Sequence, residues 1–508
     1  MNKKGFTLIE IIAIIILLSV IALITYPVIN NLIINSKDEL YEKQISELVR
    51  LSNTWTTKNI KKLKMTDGYT YNLSFEELYE QGFVSDKQVK NPKTGENLPG
   101  CMKITFNSTN NGYDVSYDEG CTSSGEVVVL YEDNSGANKP VLFNNMKPIK
   151  YENNKWLVAN TSDKWYDYDA KEWANAVVLN SGVTKNVGDE VTEEDVALWY
   201  VWIPRYKYTI FNGNNESASA QLINVTFENG TNRTGTVTCS DNADGSETCS
   251  TITNGTSTYT HPAFKFGNTE LTGFWVGKFE VSGSTSAITV KPNVTSLRSQ
   301  TVSSFFTAIQ NVKTTYGISN ADSHMMKNME WGAVAYLKQS KYGLGTTDIA
   351  VNTNSSYYTG GGQSDAYKTN VAQSTTGNEY GVYDMSGGAW EYVMGNMKDS
   401  SNAFYSRYAG FTTAPDAKYY DSYKYDSSSS TTHARGKLGD ATKETLATFG
   451  NTSGGWYSDY AYFPCSSYSW FVRGGGYGNG AVAGVFYFSR SDGNRGSGNS
   501  ARAVLSAQ

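Results

Sequence analysis

The chain has little of the chemistry that metal sites and nucleic-acid-binding surfaces require. Its 508 residues include 3 histidines and 5 cysteines, charged residues make up 18 %, and the net charge is -6. His261, His324 and His433 lie far apart, and no cysteine or histidine pair has the spacing of zinc ligands, so we expect no zinc site. No basic cluster follows the first few residues, which argues against a nucleic-acid partner.

One long apolar run stands out against these absences. Two lysines precede it, it extends to Tyr26, and Pro27 follows. An apolar segment of about 20 residues matches a bilayer core of roughly 30 Å, and the lysines supply the cytoplasmic charge that orients a spanning helix. A secretory signal would have a shorter apolar core with the cleavage site after it, whereas the candidate site here, Gly5, comes before it. The run therefore predicts a membrane-inserted precursor.

The residues Gly5-Phe6-Thr7-Leu8-Ile9-Glu10 resemble the processing site of type IV prepilins and pseudopilins. The resemblance implies that residues 1–5 are a leader, that a prepilin peptidase cuts after Gly5, and that Phe6 is then methylated. It also implies that Glu10 meets the amino group of a neighbouring pilin subunit. A carboxylate at membrane depth costs at least about 2.5 kcal/mol, so it requires such a partner. The alternative is a plain amino-terminal anchor with a stray glutamate.

The helical spacing of apolar residues continues beyond this run and predicts a transmembrane and filament helix over residues 6–64. Residues 65–121 are predicted to form a small head. It contains a short serine-capped helix at Leu73–Leu78 and two strands, at Met102–Phe106 and Gly112–Tyr117. This head resembles the small heads of pilins from Gram-positive bacteria.

Four of the five cysteines form two pairs that are close in sequence. Cys101 and Cys121 bracket one short polar loop, and Cys239 and Cys249 bracket another. Because the chain is predicted to leave the cytoplasm, we expect two disulfides, each contributing roughly 3 kcal/mol. Cys465 is left over, and it is either buried as a small apolar residue or exposed as a free thiol.

After a linker at Thr122–Gly125, the pattern changes from Glu126 onward to short strands, tryptophans and glycine-rich turns. Strand-like runs occupy Val127–Tyr131, Pro148–Tyr151, Lys155–Ala159 and Ala197–Tyr206. The predicted core includes Trp165, Trp173, Trp199 and Trp202. Two polar segments, near residues 212–260 and 397–453, are predicted to be exposed insertions.

Several further motifs predict the fold of this second part. They are the segments Gly273–Val281, Met329–Leu337, Gly381–Val393, Phe471–Gly475 and Ser500–Val504. Together they resemble the formylglycine-generating-enzyme family of C-type-lectin-like folds, over roughly residues 126–508 with gaps. The resemblance implies an α+β protein, in which a long pilin helix with a small pilin-like head precedes a lectin-like domain rich in short strands and irregular loops. The chain departs from the family pattern at Gly388 and Ala501, which weakens any local role carried over from it.

The family resemblance raises the question of catalysis, and the residues argue against it. Formylglycine formation in the family uses a cysteine pair near the carboxyl terminus to bind copper, but Cys465 stands alone here. Iron-binding relatives use histidines, and no histidine motif matches. Asp384 and Glu391 could act as acid and base, but we expect them to tie loops and satisfy backbone donors. We therefore expect no enzyme and no cofactor; calcium, which several relatives bind, remains possible, although no Asp-rich loop specifies it.

The segment from Gly476 to Asn499 alternates framework residues with Tyr, Ser, Gly, Asp, Asn and Arg. All of these can be reached from an asparagine codon by changing its two adenines, so the segment resembles the variable region of retroelement-diversified proteins. The alternative is an ordinary Gly/Ser/Tyr-rich surface segment without diversification. In either case we predict that a ligand-facing surface comprises Tyr477, Asn479, Tyr487, Ser489, Arg490, Asp492, Asn494, Arg495, Ser497 and Asn499.

The first hypothesis for function is a minor or tip pilin that displays a ligand-binding domain. Such a protein would reside in the cytoplasmic membrane before assembly and in an extracellular pilus afterwards. Its partners would be other pilin subunits, the peptidase, and an unknown protein or glycan on a target surface. The alternatives are a surface enzyme of the formylglycine-generating or sulfatase-modifying type, and a passive pseudopilin of a secretion or DNA-uptake system.

Overall fold

The computed structural model of the chain divides into two compact units, residues 1–130 and residues 131–508. The described residues are 8–59, 63, 70–107, 112–122, 131–211, 218–318, 320–429, 431–450 and 452–507. Gly5 and Phe6 of the predicted processing site lie outside them, as does most of the predicted strand at Val127–Tyr131. Glu10 lies on a described helix, but its side chain is outside the description.

The first unit consists of one long helix and a small sheet. Its elements are α1 (Leu8–Asn59), β1 (Thr70–Leu73), α2 (Phe75–Glu80), β2 (Cys101–Asn107) and β3 (Gly112–Asp118). The three strands are antiparallel in the order β1-β2-β3, and the Ser74 side chain caps α2 by accepting from the Glu77 N–H at 3.0 Å. Residues from the second half of α1, including Leu48 and Trp55, are buried against Leu73, Leu78 and Ile104. The small sheet therefore covers the apolar stripe that continues along α1.

The first half of α1 exposes its apolar side chains. Leu8, Ile9, Leu17 and Leu23 are all more than half exposed, and isoleucines and leucines between them are exposed as well. The helix runs through Pro27 without interruption. Within the described part of the chain, no helix combines the length and apolar content needed to cross a bilayer.

The second unit contains most of the strands. They are β4 (Met146–Glu152), β5 (Lys155–Val158), β6 (Asn175–Leu179), β7 (Glu190–Val191), β8 (Val196–Pro204), β9 (Tyr206–Thr209), β10 (Val225–Phe227), β11 (Cys239–Asp241), β12 (Glu247–Cys249), β13 (Thr258–Thr260), β14 (Lys265–Phe266), β15 (Thr269–Glu270), β16 (Gly273–Gly277), β17 (Ser282–Ser284), β18 (Ala287–Thr289), β19 (Ala321–Met325), β20 (Trp390–Met397), β21 (Asp421–Tyr423), β22 (Trp470–Gly474), β23 (Gly484–Ser491), β24 (Asn499–Ala501) and β25 (Ala503–Ala507). The helices of this unit are α3 (Val302–Gln310), α4 (Val312–Thr315), α5 (Asn328–Lys338) and α6 (Ala366–Thr369).

Eight of these strands form the largest sheet, in the order β19-β25-β16-β8-β6-β4-β5-β7, with antiparallel pairs throughout. Every residue of β8 is buried, which explains its continuous apolar sequence. The predicted core tryptophans are buried as expected: Trp165, Trp173, Trp199 and Trp202. Strand β25 lies inside this sheet between β19 and β16, and its first four residues are buried in the core.

A second sheet supports the carboxyl-terminal surface. Its path is β21-β20-β22-β23, and β24 also pairs with β20. Pairing is antiparallel between β20 and β22 and between β22 and β23, whereas β21 and β24 lie parallel to β20. The apolar segment Met329–Leu337 forms helix α5, which is buried along its whole length and not only on one apolar face.

The prediction of two exposed insertions is wrong for part of each segment. In the first, β10 and β13 pair with β9 on both sides, and Val225 and Tyr259 are buried. In the second, Arg473 donates to the carbonyl oxygens of Asp440 and Ala441, both at 3.1 Å, and holds that loop in the interior. The polar composition of these segments hid the few residues that anchor them.

A second correction concerns Glu391. It does not satisfy backbone donors in a turn; instead it forms a buried ion pair with Arg502, whose Nε lies 3.0 Å from Glu391 Oε2. Arg502 also donates to the carbonyl oxygen of Gly277 at 2.7 Å, so it joins β20 to the large sheet. Asp384 ties a loop as expected, because its Oδ1 accepts from the Gly360 N–H at 2.9 Å and from Asn352 Nδ2 at 3.0 Å.

Candidate functional site

Strand β23 carries the middle of the predicted ligand-facing segment. Phe488 points to one side of the strand and packs on Phe463, with ring centroids 4.8 Å apart. Tyr487 points to the other side and stacks on Tyr460 at 5.6 Å. The strand is buried through Phe488 and becomes half-buried from Ser489 onward. A rigid strand thus holds a surface whose exposure begins near its end.

Six aromatic side chains form what we call the aromatic row: Tyr357, Trp390, Tyr460, Tyr462, Tyr477 and Tyr487. Trp390 donates its Nε1–H to the Tyr487 hydroxyl at 3.0 Å, and Tyr460 continues the row to Tyr462, 5.9 Å away between ring centroids. Five of the six are half-buried, so each presents part of its ring to solvent. Tyrosine and tryptophan in this state offer both apolar area and a polar group to a ligand.

Two glycines fix the Trp390 ring. A Cβ at Gly476 would lie 2.9 Å from the ring, and a Cβ at Gly498 would lie 2.6 Å from it. The ring therefore fits between two backbone segments where no side chain has room. Gly498 also approaches the Tyr357 hydroxyl, which connects the two parts of the row.

The row ends in a stacked arginine on one side. Tyr477 and Tyr357 pack edge to face at 4.9 Å, and the Arg298 guanidinium lies 3.8 Å from the centre of the Tyr357 ring. Arg298 also donates to the Ser497 carbonyl oxygen. Tyr357 adopts a left-handed backbone with φ of 57°, a conformation that costs free energy for a residue of this size. The packing of its ring offsets that cost.

The other end of the row also has an arginine. The Arg490 guanidinium lies 4.4 Å from the Tyr462 ring centre and 4.5 Å from that of Tyr468. One of its N–H groups donates to Cys465 Sγ at 2.9 Å. Cys465 is the unpaired cysteine and is buried. Burial acts to raise its pKa, but hydrogen bonds and the charge of Arg490 outweigh that effect and lower the pKa below its usual value.

The structure distributes the ten predicted residues among three places. Tyr477, Tyr487 and Arg490 belong to the row or contact it. Ser489 and Asn499 are half-buried beside it, and Asn479 makes a turn by accepting from the Gly476 N–H. The remaining four lie past the end of β23: Asp492, Asn494, Arg495 and Ser497.

Tyr487 is where the expectation of an exposed side chain is wrong. It is only 5 % exposed, because Tyr460 covers its ring and its hydroxyl accepts a hydrogen bond from Trp390 Nε1–H. Its contribution to the surface is to position Trp390.

Residues past β23 border an open groove of about 530 Å³ beside α3. The groove is lined by Thr285, Gln300, Ser303, Ser304, Thr307, Ala308, Asn311 and Arg495. Backbone hydrogen bonds from Ser299 to Gly496 and from Val302 to Gly493 hold the segment against the start of α3. The carboxyl-terminal surface therefore combines an aromatic part and a hydroxyl-rich part.

Sequence reasoning missed several members of this surface. Arg298, Tyr357, Tyr460 and Tyr462 come from segments far from the carboxyl terminus, and Trp390 was recognised only as part of a fold motif. No local pattern marks them, since tertiary contacts bring them to this surface; Tyr460 and Tyr462, for example, flank Ala461, which forms a bridge with Phe488 of β23. The glycines at 476 and 498 were the available signal, because a close approach to a ring requires glycine there.

Three buried carboxyl groups lie beneath Trp390. Burial, reinforced by Asp384 and Glu391, raises the pKa of Glu280 well above its usual value. Burial also raises the pKa of Glu391 to about 7, although the charge of Arg502 opposes this, and it raises the pKa of Asp384. Glu280 Oε1 accepts from the Ala389 N–H at 2.8 Å, next to Trp390 in sequence. These carboxyl groups are therefore engaged in holding the loop that carries the row.

The cysteines bear on metal binding as well as on stability. The structure joins Cys101 to Cys121 and Cys239 to Cys249. Among the described residues, the group of side chains close enough to share a metal ion is Cys239, Glu247 and Cys249. Because both cysteines are in a disulfide, this group offers no thiolate.

The comparison with known families bears on the amino terminus. Residues 1–26 match the family model described as the prokaryotic N-terminal methylation motif. The match supports a type IV pilin-like or pseudopilin-like amino terminus. No curated protein matches this chain.

Proposed function

We propose that the protein is a minor or tip subunit of a type IV pilus that displays a target-binding domain. In this proposal, residues 131–508 adopt a C-type-lectin-like fold of the formylglycine-generating-enzyme type. The aromatic row carries the binding proposal, because half-exposed tyrosines and a tryptophan, bordered by stacked arginines, have the composition of binding hot spots. The ligand is a protein or a glycan on a target surface.

The long helix supports the assembly part of the proposal. Its first half exposes a continuous set of large apolar side chains, and such a surface is stable only against lipid or other apolar helices. Copies of the same helix in a filament would cover it, with Glu10 facing the amino group of a neighbouring subunit. The membrane would cover it before assembly.

The processing step can be tested directly on filaments sheared from cells. We expect the amino-terminal peptide to begin at Phe6 and to carry one methyl group, as measured by mass spectrometry. Replacement of Gly5 with leucine should block cleavage and remove the protein from the sheared fraction. An intact leader on filament-associated protein would contradict the proposal.

The binding step can be tested with cells that display the protein. Attachment to a panel of immobilised proteins and glycans is compared between the natural chain and a Tyr357→Ala/Tyr477→Ala variant. Tyr79→Ala is the matched control, since Tyr79 is exposed in the first unit. We expect the double variant to lose attachment and the control to retain it. Equal attachment by all three would refute binding through the row.

We further propose that this domain binds and does not catalyse. The support is that Asp384 and Glu391, the candidate acid–base pair, are fully buried and occupied by backbone, Asn352 and Arg502 partners. Metal analysis of the purified protein, together with an assay for oxidation of a cysteine-containing peptide, tests this part. Stoichiometric copper with peptide oxidation would favour the enzyme alternative.

A further inference from the structure

Four arginines on the carboxyl-terminal surface have no carboxylate partner among the described residues. They are Arg298, Arg407, Arg490 and Arg495. Three of them lie over tyrosine rings instead: Arg298 over Tyr357, Arg490 over Tyr462 and Tyr468, and Arg407 over Tyr408 at 4.7 Å. Arg495 lines the groove beside α3.

Several other arginines in this unit are paired with carboxylates. Arg205 lies 3.0 Å from Glu228 and 2.8 Å from Glu270, and Arg233 lies 3.1 Å from Glu270. The contrast is notable because the whole chain carries a net charge of -6. Carboxylates outnumber cationic side chains in this protein, yet within the described ranges the guanidinium groups of this surface form no ion pairs with them.

The few acidic groups near these arginines are already engaged. Asp492 is the one carboxylate between Gly484 and Asn499, and its Oδ1 accepts from the Asn494 N–H at 3.0 Å. Glu280 is buried beneath the loop of Trp390 and accepts from Ala389. Asp492 also interacts electrostatically with Arg407. One carboxylate faces four arginines in this part of the chain, so the surface carries a local excess of positive charge.

Stacking on tyrosine prepares a guanidinium for a particular kind of ligand. The ring contacts the flat face of the group and leaves N–H donors at its edge, where a carboxylate accepts two hydrogen bonds in parallel. Arg298 donates one N–H to the Ser497 carbonyl oxygen, and Arg490 donates one to Cys465 Sγ. Arg298 Nε is buried and has no hydrogen-bond partner. These contacts fix the orientation of the side chains before any ligand arrives, which lowers the entropic cost of binding.

The covered ring faces favour a protein ligand over a glycan. Sugars and nucleic-acid bases bind aromatic side chains mainly by stacking on a ring face. Here a guanidinium group covers one face each of Tyr357, Tyr408 and Tyr462, and Tyr460 covers one face of Tyr487. The guanidinium donors and tyrosine hydroxyl groups of this surface have the composition of protein–protein hot spots.

We propose that the aromatic row and its four unpaired arginines bind an acidic protein surface, through carboxylates that complete the ion pairs these arginines lack. This proposal rests on the proposed binding function and specifies its partner. Long-range attraction would also speed the encounter and make it sensitive to salt.

The test uses the full-length protein in nonionic detergent micelles, immobilised, with poly-L-glutamate as the acidic polypeptide and hyaluronan as a carboxylated glycan. We expect poly-L-glutamate to bind more tightly than hyaluronan and to be weakened by salt. Arg298→Gln/Arg490→Gln should reduce its binding at least about tenfold. Arg233→Gln is the matched control, because that arginine is already paired with Glu270.

Charge-retaining variants separate binding from folding. Arg298→Lys/Arg490→Lys keeps the charge but loses the stacking and the bidentate hydrogen bonding of a guanidinium group. We therefore expect its affinity for poly-L-glutamate to lie between that of the natural chain and that of the glutamine variant. Unchanged binding in the glutamine variant, or tighter binding of hyaluronan, would overturn the proposal. A different result in the cell-attachment assay is that Tyr357→Ala/Tyr477→Ala loses attachment while Arg298→Gln/Arg490→Gln retains it. That result would overturn the proposal of an acidic partner but leave the proposed binding function standing. Full attachment in both would overturn the binding function itself.

Discussion

Lys278 shows how this protein holds a charge in its interior. The side chain is fully buried, and its Nζ donates to Asn175 Oδ1 at 2.8 Å and to the carbonyl oxygens of Glu379 and Gly381 at 2.6 and 3.1 Å. Three aromatic rings also face it, those of Trp156, Trp199 and Tyr383. Burial lowers its pKa well below the usual value, yet three acceptors and three ring faces match the three donors and the charge of an ammonium. These three acceptors and three ring faces stabilise the ammonium form of Lys278 in the interior.

Lys278→Met is therefore expected to destabilise the second unit although methionine fills similar space. It leaves the carbonyl oxygens of Glu379 and Gly381 without this donor, and a lost buried hydrogen-bond partner costs about 1–3 kcal/mol. Chemical denaturation measures the change. Lys341→Met, at an exposed lysine, is the control and should leave stability within about 0.5 kcal/mol.

The Arg502–Glu391 pair permits a double-mutant test. Arg502→Met leaves a buried carboxylate unpaired and should cost about 3–5 kcal/mol of unfolding free energy. Glu391→Gln should cost less, since the amide still accepts from the arginine. The double variant is expected to cost clearly less than the sum of the two single changes, as measured by denaturant titration. Additive costs would show that the pair does not act as a unit.

His324 predicts a pH dependence. It is fully buried between Asp322, 3.2 Å from its Nδ1, and Glu330, 2.9 Å from its Nε2. Burial opposes its protonation, but the two carboxylates outweigh burial and raise its pKa. The stability that protonated His324 contributes is therefore fully present below the unfolded pKa of about 6.5 and is lost as pH rises through the higher folded value.

The measurement is the difference in melting temperature between the natural chain and His324→Gln across this range. We expect the difference to be largest near about pH 6 and to shrink toward alkaline pH. The pKa values of Asp322 and Glu330 are lowered mainly by His324 against the effect of burial, so their contribution is lost as pH falls below the usual carboxyl range. Lys418 and Tyr419 lie nearby, and because the pKa values of both are raised they keep their charge states over the interval tested. A difference that grows with pH would contradict the assignment.

At the residue scale, the sequence indicated which residue types lie near the aromatic row better than which side chains are exposed. Tyr477 belongs to the row and Arg490 contacts it, while their role in ligand binding stays a prediction. Tyr487 was placed on the surface although it is buried, because the burial of a strand residue depends on what packs over it. Here that is Tyr460, from a different part of the chain.

At the scale of elements, helix α5 illustrates the tight packing of the core. A Cβ at Gly332 would overlap the Gly439 carbonyl oxygen, so no larger residue fits. Gly332→Ala should therefore destabilise the second unit by roughly 1–3 kcal/mol even though alanine favours helix formation. Thermal denaturation checks this, with Gly478→Ala as the control because nothing surrounds that position. A gain in stability from Gly332→Ala would show that the helix moves to accommodate it.

Elements with a strong local pattern were predictable. The serine-capped helix α2, the hairpin β2–β3 and strands β4, β5 and β8 were all found near their actual positions. Strands β10 and β13 were missed because they are three residues long and owe their existence to β9, which pairs with both. Short strands of this kind depend on tertiary partners that local propensity does not encode.

At the scale of the whole molecule, the two units have separate cores and one disulfide each. Cys101–Cys121 closes a loop of 20 residues in the first unit, and Cys239–Cys249 closes one of 10 in the second. Both loops are short, so chain-entropy arguments give each bond about 3 kcal/mol. We expect calorimetry of the full chain to show two transitions.

Removing one disulfide should lower the melting temperature of the unit that contains it and leave that of the other unit unchanged. Replacing Cys101 and Cys121 with serine is expected to lower the melting temperature of the first unit and leave that of the second unchanged. The reciprocal pair of replacements, at Cys239 and Cys249, should do the opposite and serves as the control. A shift of both transitions by either change would mean that the two units unfold cooperatively.

The contrast between buried residues on β23 and exposed residues after its end has a consequence for how such a protein evolves. Val485, Phe486 and Phe488 lie in the interior and carry the stability of this region, while Asn494, Arg495 and Ser497 are exposed and contribute little to it. Substitutions at the exposed positions therefore leave folding intact and alter only what the surface fits. Under the proposed binding function, one scaffold of this design would support many specificities, each reached by a few codon changes.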